Sequence, residues 1–191
     1  MKSHNELAKS DIKVENNLLD DELFDDLVYR MTNKDFPWFY CPHIDYEGEN
    51  IGVTNFQFEH WFYFSSIDQE ISKPYIDLLH PIIVHIDPVA FWRIKANLLT
   101  NTPTVYENSY HIDIGNLRNN DEKLRQWTTS IYYLNSNNGY TEFEDGTKIE
   151  SVANRLVTFP ANLIHRGTTC SDEKIRVVIN FDYLHARKTN V

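Results

Sequence analysis

The hydrophobic and polar positions of the first half predict two helical stretches and one strand. Apolar residues recur at helical spacing between positions 23 and 31, behind the acidic run Asp20-Asp21-Glu22. Carboxylates favour a helix N-terminus, so the pattern predicts a helix from Asp20 to Thr32. From Ile51 to Phe64 apolar and polar positions alternate, which is typical of a strand. Residues 66–85 predict a second helical stretch that two prolines interrupt.

The second half predicts short strands separated by turn residues. The predicted strands cover residues 91–99, 127–134, 141–143, 155–159, 163–168 and 174–183. Several short strands at close spacing favour a sandwich or a barrel. Because the helices come first, we predict an α+β class around an all-β core. We expect a single domain over residues 1–191, with a partly flexible segment over 1–17 and the β-core over 89–184.

Composition and charge narrow the function. The length of 191 residues suits one domain with a sizeable core. The net charge of -10 argues against a phosphate backbone as partner, so we do not expect nucleic-acid binding. Cys41 and Cys170 have no zinc-like spacing, and we expect two free thiols. With no signal-like N-terminus and no apolar run long enough for a bilayer, we expect a soluble cytoplasmic protein without a membrane partner.

The tripeptide His-x-Asp occurs three times, at His43, His85 and His111. Side chains two positions apart point the same way only on an extended chain, whereas on a helix they diverge by about 200°. The pair at His85 ends a predicted helix, and the pair at His43 lies in an aromatic loop over residues 36–50. The pair His111-Ile112-Asp113 opens the strand-rich half and is therefore the preferred metal-binding candidate.

A third ligand has to come from a distant strand, and His165 lies in an apolar strand context. Two histidines and one carboxylate on one face of an octahedron leave the opposite face open, which suits Fe(II), a bidentate cosubstrate and oxygen. A lone strand histidine is more often a core residue, so the hypothesis depends on Arg176. An arginine in an apolar strand is costly unless its charge is paired, and a bound carboxylate would pair it. An internal salt bridge is the alternative.

In order and spacing, residues from Ser109 to Tyr183 resemble the prolyl 4-hydroxylase-like branch of the iron(II)/2-oxoglutarate oxygenases. The matching segments are His111-Ile112-Asp113, residues 129–135 (TSIYYLN), 139–143 (GYTEF) and 156–160 (LVTFP), His165 and residues 176–182. The run from Arg93 to Leu98 resembles bacteriophage-type members. One departure is Gly139-Tyr140, where the family often carries two glycines.

The resemblance implies a double-stranded β-helix, a jelly-roll core with N-terminal helices packed outside. The expected metal and catalytic residues are His111, Asp113 and His165. The expected 2-oxoglutarate contacts are Arg176 and Tyr133 at the far carboxylate, and Asn180. Fe(II), 2-oxoglutarate and O2 are the expected cofactors, with ascorbate as a further candidate.

The activity expected from the resemblance is hydroxylation of an unidentified substrate. A peptide side chain such as proline is favoured by family analogy, and a small molecule stays open. Two other classes remain. A zinc-dependent hydrolase would use the same His/Asp/His set but gives Arg176 no task. A non-catalytic jelly-roll binding module would keep the histidines as buried structural groups. A halogenase is not expected, because Asp113 is present.

Overall fold

The computed structural model describes residues 11–44, 56–65 and 73–185. The helices are α1 (Asp21–Thr32), α2 (Lys73–Ile76), α3 (His80–Ile86) and α4 (Asp121–Leu124), with short 3-10 turns at Asp77–Leu79 and Gly115–Leu117. The strands are β1 (Lys13–Asn16), β2 (Phe39–Cys41), β3 (Gln57–Phe64), β4 (Pro88–Thr100), β5 (Thr128–Tyr133), β6 (Tyr140–Phe143), β7 (Lys148–Glu150), β8 (Arg155–Pro160), β9 (His165–Gly167) and β10 (Ile175–His185).

The strands form two antiparallel sheets. The major sheet has seven strands in the order β1-β8-β5-β10-β4-β3-β2, and the minor sheet has three in the order β7-β6-β9. An apolar cluster joins them, with Tyr133 and Val178 from the major sheet and Phe143 from the minor sheet. Two sheets that pack around a common apolar interior are a jelly-roll core, which confirms the predicted fold class.

Helices cover the other face of the major sheet. Leu27 and Met31 of α1 and Ile82 and Ile86 of α3 pack in one cluster with strand residues such as Ile94. This arrangement confirms the prediction of N-terminal helices packed outside the β-core. Among the helices in the described ranges, none is long and apolar enough to cross a bilayer.

Helix α1 follows its prediction closely. The Asp20 carboxylate caps it by accepting a hydrogen bond of 2.9 Å from the backbone N–H of Leu23. This bond satisfies one of the N–H groups that a helix start leaves unpaired. The helix begins at Asp21 and ends at Thr32, as the apolar spacing indicated.

Strand β10 explains the long apolar run near the end of the sequence. Val177, Ile179 and Phe181 point into the helix-covered cluster, whereas Val178 points between the sheets. Both faces of β10 are therefore buried, and the run reads as continuously apolar. The polar side chains of Arg176 and Asn180 share the inter-sheet face with Val178 and line a cavity.

Several predicted elements differ from the structure. The strand predicted over Ile51–Phe64 begins at Gln57, and residues 51–55 and 66–72 lie outside the described residues. The helical stretch breaks at the 3-10 turn Asp77–Leu79, and Pro81 lies instead in the first turn of α3, where a missing N–H is tolerated.

The sequence patterns missed three short strands, β1, β2 and β7. Each has only three or four residues, too few to show an alternating pattern. Strand β2 lies in the segment predicted to be an aromatic loop. Strand β1 lies in the segment expected to be partly flexible, and it pairs with β8 at the edge of the major sheet. Both cysteines are free, as expected.

Candidate metal and cosubstrate site

The two candidate histidines meet through a backbone bridge. The N–H of His111 donates to the carbonyl of His165 at 2.8 Å, and the reverse bond measures 3.1 Å. This isolated antiparallel bridge places His111 beside the first residue of β9, on the edge of that strand that does not pair with β6. It sets the two imidazole rings side by side, with their centroids 4.9 Å apart.

Asp113 completes the cluster from a bend rather than from a strand, which corrects the prediction that it shares a strand face with His111. Its Oδ2 lies 3.4 Å from Nε2 of His165, and its Oδ1 lies 3.8 Å from Nε2 of His111. One ligand atom from each of the three side chains lies within 4.8 Å of the others, and no other such group occurs among the residues that the structure describes. These distances suit three ligands of one metal ion.

The other two His-x-Asp pairs do not join this cluster. His43 is exposed, and Asp45 lies outside the described residues. His85 is also exposed, 3.4 Å from a carboxylate oxygen of Glu15. Asp87 caps the C-terminus of α3 with a left-handed backbone, at φ 44. The preference for His111 over the other two is therefore consistent with where the structure places them.

The ring nitrogens of both histidines are oriented for metal binding. Nδ1 of His111 is 3.1 Å from the carbonyl of Ser109, and Nδ1 of His165 is 3.0 Å from the carbonyl of Leu163. A carbonyl only accepts, so each neutral ring carries its hydrogen on Nδ1 and keeps a lone pair on Nε2. Nε2 of His165 is buried without a hydrogen-bond partner. A divalent metal would satisfy that nitrogen, so these residues fit a metal ion.

The charges in the cluster favour an ionised carboxylate. Burial alone would raise the pKa of Asp113, but the Arg93 guanidinium and the imidazoles of His165 and His111 together outweigh burial and hold that pKa well below its usual range. Burial alone would lower the pKa of His165, but the Asp113 carboxylate raises it above its usual value. Metal binding would therefore compete with a proton on His165 as the pH falls.

Arg93 contacts Asp113 directly, and sequence reasoning did not assign it a role. Its Nη2 lies 2.6 Å from Oδ1 of Asp113, and its Nε lies 2.8 Å from Oδ2 of Asp182. Burial raises the pKa of Asp182 to about 6, although the positive charge of Arg93 acts to lower it. The sequence does hold a signal for this role, because Arg93, Lys95 and Asn97 alternate with apolar residues and so form a polar face on β4.

Arg176 is buried with no charged partner. It is 2% exposed, its Nε donates to Ser151 Oγ at 2.8 Å, and its Nη2 lies 3.5 Å from Thr141 Oγ1. No carboxylate forms an ion pair with it in the described part of the chain, so the alternative of an internal salt bridge finds no support there. Burial lowers the pKa of this guanidinium, as expected for a charge without a counter-ion.

The other two predicted 2-oxoglutarate contacts occupy different places. Tyr133 is fully buried, and its hydroxyl donates to Thr141 Oγ1 at 2.7 Å. Burial raises the pKa of Tyr133 and keeps that hydroxyl protonated. Asn180 lies beside the metal cluster, with Nδ2 3.5 Å from Oδ2 of Asp113. Its Oδ1 is buried without a hydrogen-bond partner.

One cavity of about 230 Å³ is lined by the three candidate metal ligands, by Arg176 and by Asn180, but not by Tyr133. His111, Asp113 and His165 line one part of it, and Arg176 and Thr141 line another. Arg176 and Asn180 are four positions apart on β10, which corresponds to roughly 13 Å along a strand. The cavity therefore has a metal-binding end and a cationic end, with room for an elongated anion between them.

Comparisons with solved structures identify the fold. The chain is similar to a prolyl hydroxylase from Trichoplax adhaerens solved in complex with a peptide fragment of the hypoxia inducible factor oxygen degradation domain, with a TM-score of 0.60 and 14% identity over 91% of this chain and 83% of that one. It is similar to a Pseudomonas putida prolyl-4-hydroxylase, with a TM-score of 0.52 and 16% identity over 92% and 93% of the two chains.

A third similar structure is the non-heme α-ketoglutarate-dependent epimerase SnoN from nogalamycin biosynthesis, with a TM-score of 0.62 and 11% identity over 93% of this chain and 78% of that one. No protein-family model and no curated protein matches the sequence. The chain therefore has the fold of the prolyl 4-hydroxylase-like iron(II)/2-oxoglutarate oxygenases. The likeness to bacteriophage-type members stays a prediction.

Proposed function

We propose that this protein is an iron(II)- and 2-oxoglutarate-dependent dioxygenase that hydroxylates a peptide side chain or a small molecule. The observation that carries the proposal is the pairing, in one cavity, of the His111/Asp113/His165 cluster with the unpaired, buried Arg176. A buried cation without a counter-ion is costly, so it indicates an anionic ligand. A zinc hydrolase or a structural histidine cluster would leave Arg176 unexplained.

His111, Asp113 and His165 would hold the metal. Both imidazoles are fixed by backbone carbonyls with their Nε2 atoms toward Asp113, so the ligand set needs little rearrangement. When bound, iron(II) would supply the redox chemistry that couples oxidative decarboxylation of 2-oxoglutarate to hydroxylation of the substrate. Ascorbate stays a candidate for keeping the iron reduced.

Arg176 would bind the far carboxylate of 2-oxoglutarate. Ser151 already holds Nε, which fixes the plane of the guanidinium and leaves its terminal nitrogens for a bidentate contact. Thr141 accepts the Tyr133 hydroxyl, so the Thr141 hydrogen remains available to donate to the same carboxylate. In this arrangement Tyr133 acts through Thr141, because Thr141 lines the cavity whereas Tyr133 does not.

The remaining wall of the cavity would face the substrate. It is formed by Lys95, Asn97, Asn108 and Gln57. Lys95 is held by Glu59 at 2.6 Å, so its charge is already balanced. Asn108 Oδ1 is buried without a hydrogen-bond partner and would accept from a bound molecule. This wall suits a neutral, hydrogen-bonding group, and a peptide is modestly favoured because one similar enzyme was solved with a peptide fragment.

The test is an anaerobic titration of the purified apoprotein with Fe(II) and 2-oxoglutarate, followed by visible absorption. A 2-oxo acid chelated to Fe(II) gives a weak visible charge-transfer band, and we expect the wild type to show it. His111→Ala and His165→Ala should lose the band, because each removes one of three ligands. His43→Ala and His85→Ala are matched controls, since each of these exposed histidines opens another copy of the His-x-Asp tripeptide. Both variants should keep the band.

The outcomes separate the three classes of protein. A band in the wild type and in both controls, absent from both ligand variants, would support the oxygenase. Its absence from the wild type would contradict the proposal and move the zinc hydrolase and the binding module ahead of it. Succinate release measured with oxygen present then tests turnover, and the His165→Ala variant should release none above background.

A further inference from the structure

We infer that Arg93 is a positioning residue that holds the Asp113 carboxylate in its ligating orientation. This inference rests on the proposed function, since it concerns a ligand of the proposed metal. It adds a second arginine to the site, with a task unlike that of Arg176. Arg176 faces the cavity unpaired, whereas Arg93 is bonded on both sides by carboxylates.

The contact between Arg93 and Asp113 is short and buried. Nη2 of Arg93 is 2.6 Å from Oδ1 of Asp113, and the two side chains are 13% and 5% exposed. Charge-assisted hydrogen bonds of this length are among the stronger ones in proteins. The bond engages Oδ1. Oδ2 lies 3.4 Å from Nε2 of His165 and has a longer contact of 3.5 Å with Nδ2 of Asn180, so it is the oxygen more available to a metal.

Arg93 is itself oriented by the register of the major sheet. Arg93 on β4 and Thr129 on β5 are both direct cross-strand partners of Asp182 on β10. Asp182 accepts from Nε of Arg93 through Oδ2 at 2.8 Å and from the Thr129 hydroxyl through Oδ1 at 2.8 Å. The three side chains form a row across three adjacent strands, and this row points the guanidinium at Asp113.

Asp182 also balances charge. It is 0% exposed, so its carboxylate requires a partner, and Arg93 is that partner. The Arg93–Asp182 pair therefore adds no net charge next to the proposed metal. Its contribution to metal binding is the direction in which it holds Asp113, and partners of this kind typically change metal affinity or activity by about 10–100-fold when they are removed.

The decisive variant is the double substitution Arg93→Gln/Asp182→Asn. It removes the cation and its buried counter-ion together, so no unpaired buried carboxylate remains at position 182. We expect its dissociation constant for Mn(II), measured from the EPR signal of free Mn(II), to be weaker than that of the wild type by about 10–100-fold. Circular dichroism establishes that the protein measured is folded.

Two single variants distinguish positioning from structural support. Asp182→Asn removes the charge at position 182 but keeps an amide oxygen that can still accept from Nε of Arg93. The Arg93–Asp113 bond should therefore persist, and we expect Mn(II) affinity close to that of the wild type despite lower stability. Arg93→Lys keeps the charge, but one ammonium cannot hold both carboxylates as a guanidinium does, so Mn(II) binding should weaken. Arg125→Gln is the control for charge, because it removes an exposed cation that pairs with Asp121 and lies outside the site, so it should not weaken Mn(II) binding.

Each result decides the inference. Wild-type Mn(II) affinity in a folded Arg93→Gln/Asp182→Asn protein, or in Arg93→Lys if the double variant does not fold, would overturn it and leave the proposed function standing. Equal weakening in Asp182→Asn and Arg93→Lys would also overturn it, because both would then act only through stability. A wild type that binds neither Mn(II) nor Fe(II) would remove the proposed function and this inference together.

Discussion

At the scale of single residues, the site is defined by polar groups that the protein does not satisfy by itself. Nε2 of His165 and Oδ1 of Asn180 are buried and unpaired, and Arg176 has no counter-ion among the residues described. By contrast, the buried guanidinium of Arg93 in the same cavity wall is paired with Asp113 and Asp182. Leaving buried polar groups unpaired lowers stability, so their concentration in one cavity indicates a ligand site.

Replacing Arg176 should separate stability from cosubstrate binding. Arg176→Met removes a buried, unpaired charge and keeps most of the side-chain volume. We expect the free energy of unfolding of the apoprotein to stay equal or to rise by about 1–4 kcal/mol, as happens when buried charges are replaced by apolar groups. Affinity for 2-oxoglutarate in the presence of Mn(II) should fall by at least ~30-fold, since the loss of one partner of a buried charge pair costs about 2–5 kcal/mol. Calorimetric titration measures this affinity.

The matched control is Arg125→Met, because Arg125 is exposed and its ion pair within the described ranges is with Asp121, four positions earlier on α4. It should change the free energy of unfolding by less than about 0.5 kcal/mol and leave 2-oxoglutarate binding intact. Unchanged cosubstrate affinity in Arg176→Met would remove Arg176 from the site.

At the scale of elements, short turns and strand ends place the functional groups. Gly139 directly precedes β6. It is followed by Tyr140, at the position where the family that the sequence resembles often carries a second glycine. A Cβ at Gly139 would lie 2.7 Å from Cδ of Arg176 and 2.7 Å from the carbonyl oxygen of Thr169. Close packing against Arg176 and the Thr169 carbonyl therefore requires a glycine at position 139, whereas the Tyr140 hydroxyl bonds Glu107.

Gly139→Ala should therefore damage both the turn and the cosubstrate end. The new methyl group meets a backbone oxygen that cannot move aside cheaply, so we expect a loss of about 1–3 kcal/mol in the free energy of unfolding. The displaced Arg176 should also weaken 2-oxoglutarate binding, measured as for Arg176→Met. Urea denaturation gives the stability change.

Gly146→Ala is the comparison for this effect. Gly146 has φ 83, which an alanine tolerates poorly, but no atom lies within 4 Å of its added Cβ. We expect a comparable loss of stability with normal cosubstrate affinity. Equal cosubstrate affinity in both glycine variants would contradict the role given to Gly139.

At the scale of the whole molecule, the two faces of the major sheet have different tasks. One face packs on the minor sheet and forms the cavity, and the other packs on the helices. His60 lies on the helix side, 2% exposed, among the rings of Phe36, Phe62 and Tyr75. Burial lowers the pKa of His60, although its Nδ1 is 2.9 Å from the carbonyl of Pro37.

His60 should make the packing of helices on the sheet sensitive to acid. Its pKa in the folded protein lies below the ordinary 6.5, so the unfolded chain binds the proton first as the pH falls. Its contribution is complete above pH 6.5 and is lost below it, by up to about 1.4 kcal/mol for each pH unit down to the folded pKa. In His60→Phe, the free energy of unfolding should fall less between pH 7 and pH 5 than in the wild type.

Urea denaturation at several pH values measures this slope. His80→Gln serves as the control, because His80 is exposed on the first turn of α3 and its loss should leave the slope as in the wild type. An identical slope in His60→Phe and the wild type would exclude His60 as the source of acid sensitivity.

Elements whose own residues carry a local pattern could be predicted from the sequence. Helix α1 was predictable because its apolar spacing and its cap at Asp20 lie within thirteen consecutive residues. The jelly-roll class followed from short strands and from the resemblance over Ser109 to Tyr183. His111, Asp113, His165 and Arg176 could be proposed because residue type and spacing already limit their chemistry. Their assignments as ligands and as an anion contact remain predictions that the geometry supports.

How these residues meet could not be predicted from local patterns and is seen in the folded structure. His111 and His165 are joined by one backbone bridge, and Arg93 reaches Asp113 twenty positions away and Asp182 eighty-nine positions away. The folded structure also places Thr141, rather than Tyr133, against the cavity. The physical reason is that local patterns record which face of a strand a side chain takes. Which distant strand lies opposite depends on burying both faces of the major sheet at once, and that is a property of the whole chain.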